Sequence, residues 1–89
     1  MSLLAPSATE LARASFRAVG LDARTANILI YGLGIMSPHG LRAEPWEDIK
    51  TQVGLETRLR SLGGVGELTM ARIRSVWQTG DASGPGGSP

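Results

Sequence analysis

The 89-residue chain contains no cysteine and a single histidine, His39. Without thiols it can form neither a disulfide framework nor a thiolate metal site. A metal site would have to combine His39 with carboxylates, which is a weak ligand set for zinc. We therefore expect no bound metal, and we interpret His39 as a solvated surface residue.

Long apolar segments are also missing from the chain. No run approaches the roughly 20 residues that a helix needs to span a bilayer. The opening residues 1–7 are too short and too uncharged for a secretory signal. These absences predict a soluble, cytoplasmic protein that has no membrane partner.

Catalytic signatures are missing as well. We find no nucleophile–base–acid set, and the glycine-rich segment lacks the lysine and hydroxyl that follow the glycines of a Walker-type loop. We therefore expect a protein that is not an enzyme and that carries no cofactor.

Charge is nearly balanced, but it is unevenly distributed. Nine basic residues, eight of them arginine, face eight acidic residues, which gives a net charge of +1. The acids Glu44, Glu47 and Asp48 cluster in the middle of the chain, and the portions on either side are net positive. This distribution mildly favours an anionic partner. We interpret the acidic cluster as a solvated face, with a partner-docking patch as the alternative.

Composition divides the chain into three parts. Residues 80–89 contain no large apolar side chain, so they cannot bury enough surface to offset their ordering entropy, and we predict a disordered Gly/Pro/Ser tail. Residues 1–7 are predicted to be a flexible N-terminus. Residues 8–79 remain as one helical domain with a small core.

Within that domain every recognisable element has helical periodicity. Gly20 ends the first helix, Asp22 caps the second, and Ser37-Pro38 opens the third. The predicted helices cover residues 7–19, 23–31, 38–43, 45–53, 55–62 and 67–79. The fold class is therefore predicted to be all-α, a compact bundle of five or six short helices.

The most informative segment is LGGVG at residues 62–66, directly before the last predicted helix. Its glycines leave backbone N–H groups uncovered, and the helix that follows adds unpaired N–H groups and the positive end of its dipole. Such a loop can hold an anion, and we predict that the anion is a nucleic-acid phosphate. The alternative is a plain turn between helices whose glycines serve only as caps.

Two sets of residues resemble known families. The glycine loop, with Ile73 seven residues after Gly66, resembles the second half of a helix–hairpin–helix motif. The segment LDARTANIL at residues 21–29, followed by Gly34-Ile35, Gly40-Leu41 and then the glycine loop, resembles the C-terminal domain of the bacterial RNA polymerase α subunit. The resemblance covers about residues 19–77 and implies a helix–hairpin–helix or SAM-like fold with a role in bacterial transcription.

In that family the domain binds the DNA minor groove. The resemblance implies that Arg24 enters an A·T-rich minor groove, that Asn27 supports contacts to DNA, and that the loop contacts phosphate. Arg24 and Asn27 are three residues apart, so they share one face of their helix. The nucleic-acid contacts predicted in this way are Arg24, Asn27, Gly64, Val65, Gly66 and Thr69. The implied partners are DNA and either RNA polymerase or a transcription factor.

The chain departs from the family beside the loop. Leu68 stands where the family has a lysine, Glu67 replaces a neighbouring basic residue, and Arg72 replaces the acid that helps to hold the groove-reading arginine. Fewer phosphate contacts lower affinity and flatten its dependence on salt.

These departures leave a second function open, a protein–protein interaction module on the same helical scaffold. Leu68 lies off the apolar face of its helix, and we predict that it packs under the acidic segment; alternatively, it is an exposed protein contact. Trp46 is either a lid over the core or a partly exposed interface anchor. Leu68 and Trp46 are therefore the candidate protein contacts.

Overall fold

The N-terminal helix, α1, spans Ala8–Ala18 and begins with a capping box. The hydroxyl of Ser7 accepts a hydrogen bond from the backbone N–H of Glu10, and the Glu10 carboxylate accepts one from the N–H of Ser7. This reciprocal pair satisfies two N–H groups that the helix itself cannot. Ala12 and Phe16 point from α1 into the core.

The second helix, α2, spans Ala23–Asn27 and continues directly into a π-helical segment, Ile28–Leu33. Asp22 caps α2 as predicted, because its Oδ1 accepts from the N–H of Thr25 at 2.8 Å. The predicted regular helix over residues 23–31 is therefore a short α-helix followed by wider turns. The π-helical segment ends at Gly34, which has the left-handed φ of 72° that glycine adopts without strain.

Three further helices complete the domain: α3 over Pro38–Arg42, α4 over Leu55–Leu62 and α5 over Glu67–Thr79. The hydroxyl of Ser37 caps α3 by accepting from the N–H of Gly40, and a proline stands in its first turn. The predictions for these three helices are confirmed, and α4 and α5 have the predicted bounds.

The helix predicted over residues 45–53 is wrong. These residues form an irregular loop in which Ile49 and Gln52 pair through their backbones. The loop is fixed to the start of α4, since the N–H of Leu55 donates to the carbonyl of Pro45 and the Asp48 carboxylate accepts from the N–H of Gly54. Tertiary contacts of this kind override a weak helical propensity.

One apolar core joins all five helices and the π-helical segment, and residues 7–82 contain no strand. The all-α fold class is therefore confirmed. Trp77 packs partly against this core, and its Nε1 donates to the carbonyl of Glu44 at 2.7 Å. The buried core residues are Ala12, Phe16, Leu21, Ala26, Leu29, Ile30, Ile35, Leu41, Trp46, Leu55, Leu59, Met70, Ile73 and Val76.

The computed structural model describes residues 7–82. Both ends of this range are held by hydrogen bonds: Ser7 caps α1, and the N–H of Ala82 donates to the carbonyl of Val19 at 2.7 Å. Residues just outside the predicted domain of residues 8–79 thus make hydrogen bonds to it. The rest of the predicted N-terminus and tail, residues 1–6 and 83–89, lies outside the described residues. No helix in the described part of the chain is long and apolar enough to cross a membrane.

Candidate nucleic-acid interface

A surface groove of about 690 Å³ separates α2 and the π-helical segment from the glycine loop. Arg24, Asn27 and Tyr31 line one wall of this groove. The end of α4 and the loop supply Leu62, Gly63 and Val65 to the other wall. The structure therefore brings Arg24, Asn27 and Val65 of the predicted contact set together. Gly64, Gly66 and Thr69 follow on the same loop and the first turn of α5, outside the groove lining.

The two walls of the groove touch at Gly32, where the absence of a side chain leaves room for Leu62. A Cβ atom added at Gly32 would lie only 2.7 Å from Cδ1 of Leu62, so the leucine side chain packs where a larger residue would stand. The π-helical segment and α4 meet at this point. No pattern in the sequence indicates this contact, because Gly32 and Leu62 are far apart along the chain.

The glycine loop is open on its outer side. Gly63 and Gly64 have φ angles of 75° and 73°, in the region that L side chains rarely adopt. A Cβ atom added at Gly63, Gly64 or Gly66 would meet no other atom within 4 Å. Gly66 is the N-cap of α5 and offers no side-chain cap, so the first N–H groups of that helix have no partner from its cap residue. A phosphate could therefore approach this backbone closely.

Arg24 is exposed on α2, and among residues 7–82 its side chain makes no hydrogen bond or ion pair. The charge of Arg24 acts on a nearby carboxylate, that of Asp22. Hydrogen bonds from Thr25 hold the pKa of Asp22 below its ordinary value of 3.8, and the charges of Arg72 and Arg24 lower it further. The acid near Arg24 is therefore Asp22, the N-cap of α2. Arg72 of α5 adds positive charge close to Asp22 as well.

Asn27 is held by a residue that the sequence reading missed. Arg13 of α1 donates from Nε to Oδ1 of Asn27 at 3.0 Å and from Nη2 to the hydroxyl of Tyr31 at 3.3 Å. These partners are separated along the chain by 14 and 18 residues, respectively. No local spacing signals such a contact, because it depends on how α1 packs against α2.

The acid on the loop rim is partly neutralised by a neighbouring arginine. Arg60 of α4 pairs with Glu67 of α5 at 3.5 Å and with Glu56 at 3.0 Å. The hydrogen bond to Glu56, and then the charge of Glu67, raise the pKa of Arg60. Exposed pairs like these contribute little to stability, because water and salt screen them. Their main effect is to reduce the negative charge that Glu67 brings to the loop.

Leu68 is 66% exposed in the first turn of α5, so the prediction that it packs under the acidic segment is wrong. The reason is that residues 45–53 are anchored to the start of α4. The alternative prediction, an exposed leucine beside the loop, describes its position.

Trp46 cannot be an interface anchor in this conformation, because it is only 4% exposed. Its ring lies 5.8 Å from that of Trp77, and the guanidinium of Arg74 lies 5.5 Å from its centroid. The alternative, in which Trp46 covers the core, is the one that the structure shows. Trp46 is therefore corrected from a candidate contact to a core residue.

The acidic cluster has structural partners of its own. Glu44 accepts hydrogen bonds from Arg58 and Gln52 at 2.9 and 2.6 Å. Asp48 caps the N–H of Gly54, and this bond lowers the pKa of Asp48.

His39 is exposed, as expected. Within residues 7–82 no three His, Asp or Glu side chains are grouped so that they could hold a metal ion.

Comparisons with protein-family models, with curated proteins and with solved structures gave no match to this chain. The resemblance to the polymerase α domain therefore depends on the residues themselves. The groove between α2 and the glycine loop is the feature on which a functional proposal can be built.

Proposed function

We propose that this chain is a small DNA-binding domain similar to the C-terminal domain of the bacterial RNA polymerase α subunit, with a binding rather than a catalytic role. The observation that carries the proposal is the groove in which Arg24 and Asn27 face the glycine loop. Helix α2 and the glycine loop are far apart in the sequence, but they lie side by side in the fold. A protein that inserts an arginine into the minor groove and binds the neighbouring phosphate needs its two contacts side by side in this way.

The groove and the loop residues beside it have a chemistry suited to DNA. The exposed guanidinium of Arg24 matches the negative potential of a narrow, A·T-rich minor groove. The open backbone at Gly64, Val65 and Gly66 and the start of α5 can donate N–H groups to a phosphate oxygen. The hydroxyl of Thr69 stands in the same first helical turn and can add a further donor.

The expected affinity is modest. The net charge is only +1, and Glu67 and Leu68 stand where cations would strengthen phosphate binding. Binding that depends on few phosphate contacts has a shallow salt dependence. We expect dissociation constants of about 1 to 100 μM, the range of weak or non-specific DNA binding.

A salt titration with a short A·T-rich duplex tests the proposal. Fluorescence anisotropy should show affinity that falls as salt rises from about 20 to about 200 mM. Arg24→Ala should weaken binding about tenfold or more, the effect expected of a groove-reading arginine. Arg17→Ala is the matched control, since Arg17 is an exposed arginine on α1 that does not line the groove. If no binding appears at low salt, the proposal is rejected.

The exposure of Leu68 favours a second candidate function, a protein–protein interaction module on the same scaffold. Apolar Ile28 and Leu62 also line the groove, so a partner with an apolar contact surface could bind there. In this case a pull-down should be weakened by Leu68→Glu in a protein that remains folded, and duplex DNA should not bind.

A further inference from the structure

The bond between Arg13 and Asn27 determines which polar group Asn27 has left for a ligand. A guanidinium carries donors only, so the Asn27 atom that faces Nε of Arg13 must be the amide oxygen. The NH₂ group of Asn27 then has no acceptor among residues 7–82. In the groove Asn27 therefore offers a donor, while one lone pair of its oxygen is held by Arg13.

Tyr31 is biased in the same direction. Its hydroxyl oxygen accepts from Nη2 of Arg13, which leaves the O–H proton available for donation. Tyr31 lines the groove and is 68% exposed. Together with the guanidinium of Arg24, which has no acceptor atom, these side chains form a wall of donors: Arg24, Asn27 and Tyr31.

We propose that Arg13 is a positioning residue that fixes this donor wall, and that the wall makes the groove select surfaces composed of acceptors. This inference rests on the proposed DNA-binding function. In the minor groove A·T pairs present only acceptors, whereas a G·C pair adds the 2-amino donor of guanine. A donor of the wall that faces this amino group leaves both groups without a partner.

Without Arg13 the selectivity should decrease. The amide of Asn27 could then rotate and offer its oxygen to the guanine amino group. Overall attraction to DNA would also fall slightly, because one positive charge is lost. The distinguishing signature of Arg13 is therefore the ratio of affinities between duplexes, rather than the affinity for any one duplex.

Three duplexes of equal length isolate the amino group: an A·T core, a G·C core and an inosine·cytosine core, which lacks the 2-amino group. For the wild type we expect the A·T and inosine duplexes to bind about equally, and both about tenfold more tightly than the G·C duplex. Arg13→Met should reduce this ratio towards one. Arg17→Met removes the same charge from the same helix and should preserve the ratio.

Arg13→Lys provides a second variant that keeps the charge. A lysine cannot donate to Asn27 and Tyr31 through a fixed planar fork, so the ratio should fall while overall affinity is retained. Melting followed by circular dichroism checks that each variant is folded. If the ratio stays unchanged in folded Arg13→Met and Arg13→Lys, the positioning role is overturned.

Failure of this inference can be distinguished from failure of DNA binding. If the wild type binds the inosine and G·C duplexes equally, the donor wall is overturned and DNA binding stands. If no duplex binds, the proposed function fails, and the selectivity fails with it. NMR of the free protein tests the bond itself: the Arg13 Nε–H should exchange slowly with water and faster in Asn27→Ala, and equal rates would overturn the arrangement.

Discussion

Asp22 links stability to the charge of the groove region. Its carboxylate caps α2 through the N–H of Thr25, and its pKa is lowered first by this hydrogen bonding and then by Arg72 and Arg24. A carboxyl with a lower pKa in the folded than in the unfolded chain stabilises the fold in its ionised form. This contribution is present above the ordinary pKa of 3.8 and is lost as the pH falls through the lower folded value.

Substitution of Asp22 should therefore change both stability and its dependence on pH. We expect Asp22→Ala to lower the free energy of unfolding by about 1 kcal/mol at neutral pH, the typical effect of losing an N-cap. Asp22→Asn keeps a capping oxygen, so it should cost less, and it should flatten the decline in stability between about pH 5 and pH 2. Urea unfolding at several pH values measures both effects. Wild-type stability and pH dependence in Asp22→Ala would contradict this account.

At the scale of helices and loops, local signals predicted the boundaries that depend on local chemistry. Asp22 and Ser37-Pro38 cap helices where their side chains predict, and α5 has the predicted bounds because a glycine loop precedes it and Gly80 follows it. Residues 45–53 were mispredicted because their conformation depends on bonds to α4 that no local pattern encodes. The exposure of Leu68 follows from the same anchoring.

The candidate site shows the same division. The spacing alone predicts that Arg24 and Asn27 share a helix face. Only the resemblance to a known domain predicts that this face meets the glycine loop. Arg13 could not be predicted at all, since its hydrogen bonds to Asn27 and Tyr31 depend on the packing of α1 against α2.

Within the glycine loop, two positions should separate folding from binding. Gly64 has a φ of 73°, so Gly64→Ala should destabilise the fold by about 1 kcal/mol or more. Gly66 has a φ of −79° and open space around it, so alanine is accommodated without strain. In Gly66→Ala the less flexible unfolded chain should raise the free energy of unfolding, and the loss of a glycine N-cap should lower it. We expect the two effects to cancel to within about 0.5 kcal/mol.

The added methyl group of Gly66→Ala should nevertheless cover the backbone that a phosphate would approach. We therefore expect near wild-type unfolding in urea together with DNA affinity that is several-fold lower. Unchanged affinity in Gly66→Ala would indicate that the phosphate does not approach the chain at this residue.

At the scale of the whole molecule, a net charge of +1 conceals an uneven arrangement. Arg13, Arg24 and Arg72 gather around α2, whereas Glu44 and the loop over residues 45–53 are held against α4. A DNA duplex responds to such local fields more than to the net charge, because screening limits interactions to about 10 Å at 0.1 M salt. Position should therefore matter more than the number of charges in this protein.

Adding one positive charge at two different places tests this view and distinguishes the two candidate functions. Leu68→Lys places a cation beside the loop, and the cost to stability should be small because the leucine is 66% exposed. If the loop contacts phosphate, affinity for an A·T-rich duplex should rise several-fold and the salt dependence should steepen by about 0.9 in log–log slope.

Ile49→Lys makes the same change in net charge at an exposed residue of the loop over residues 45–53, and it should have a smaller effect on DNA affinity. Anisotropy titrations at several salt concentrations give both quantities. Equal effects of the two variants would show that DNA does not contact the loop, and absence of binding by every variant would favour the interaction surface formed by Leu68 and the apolar groove.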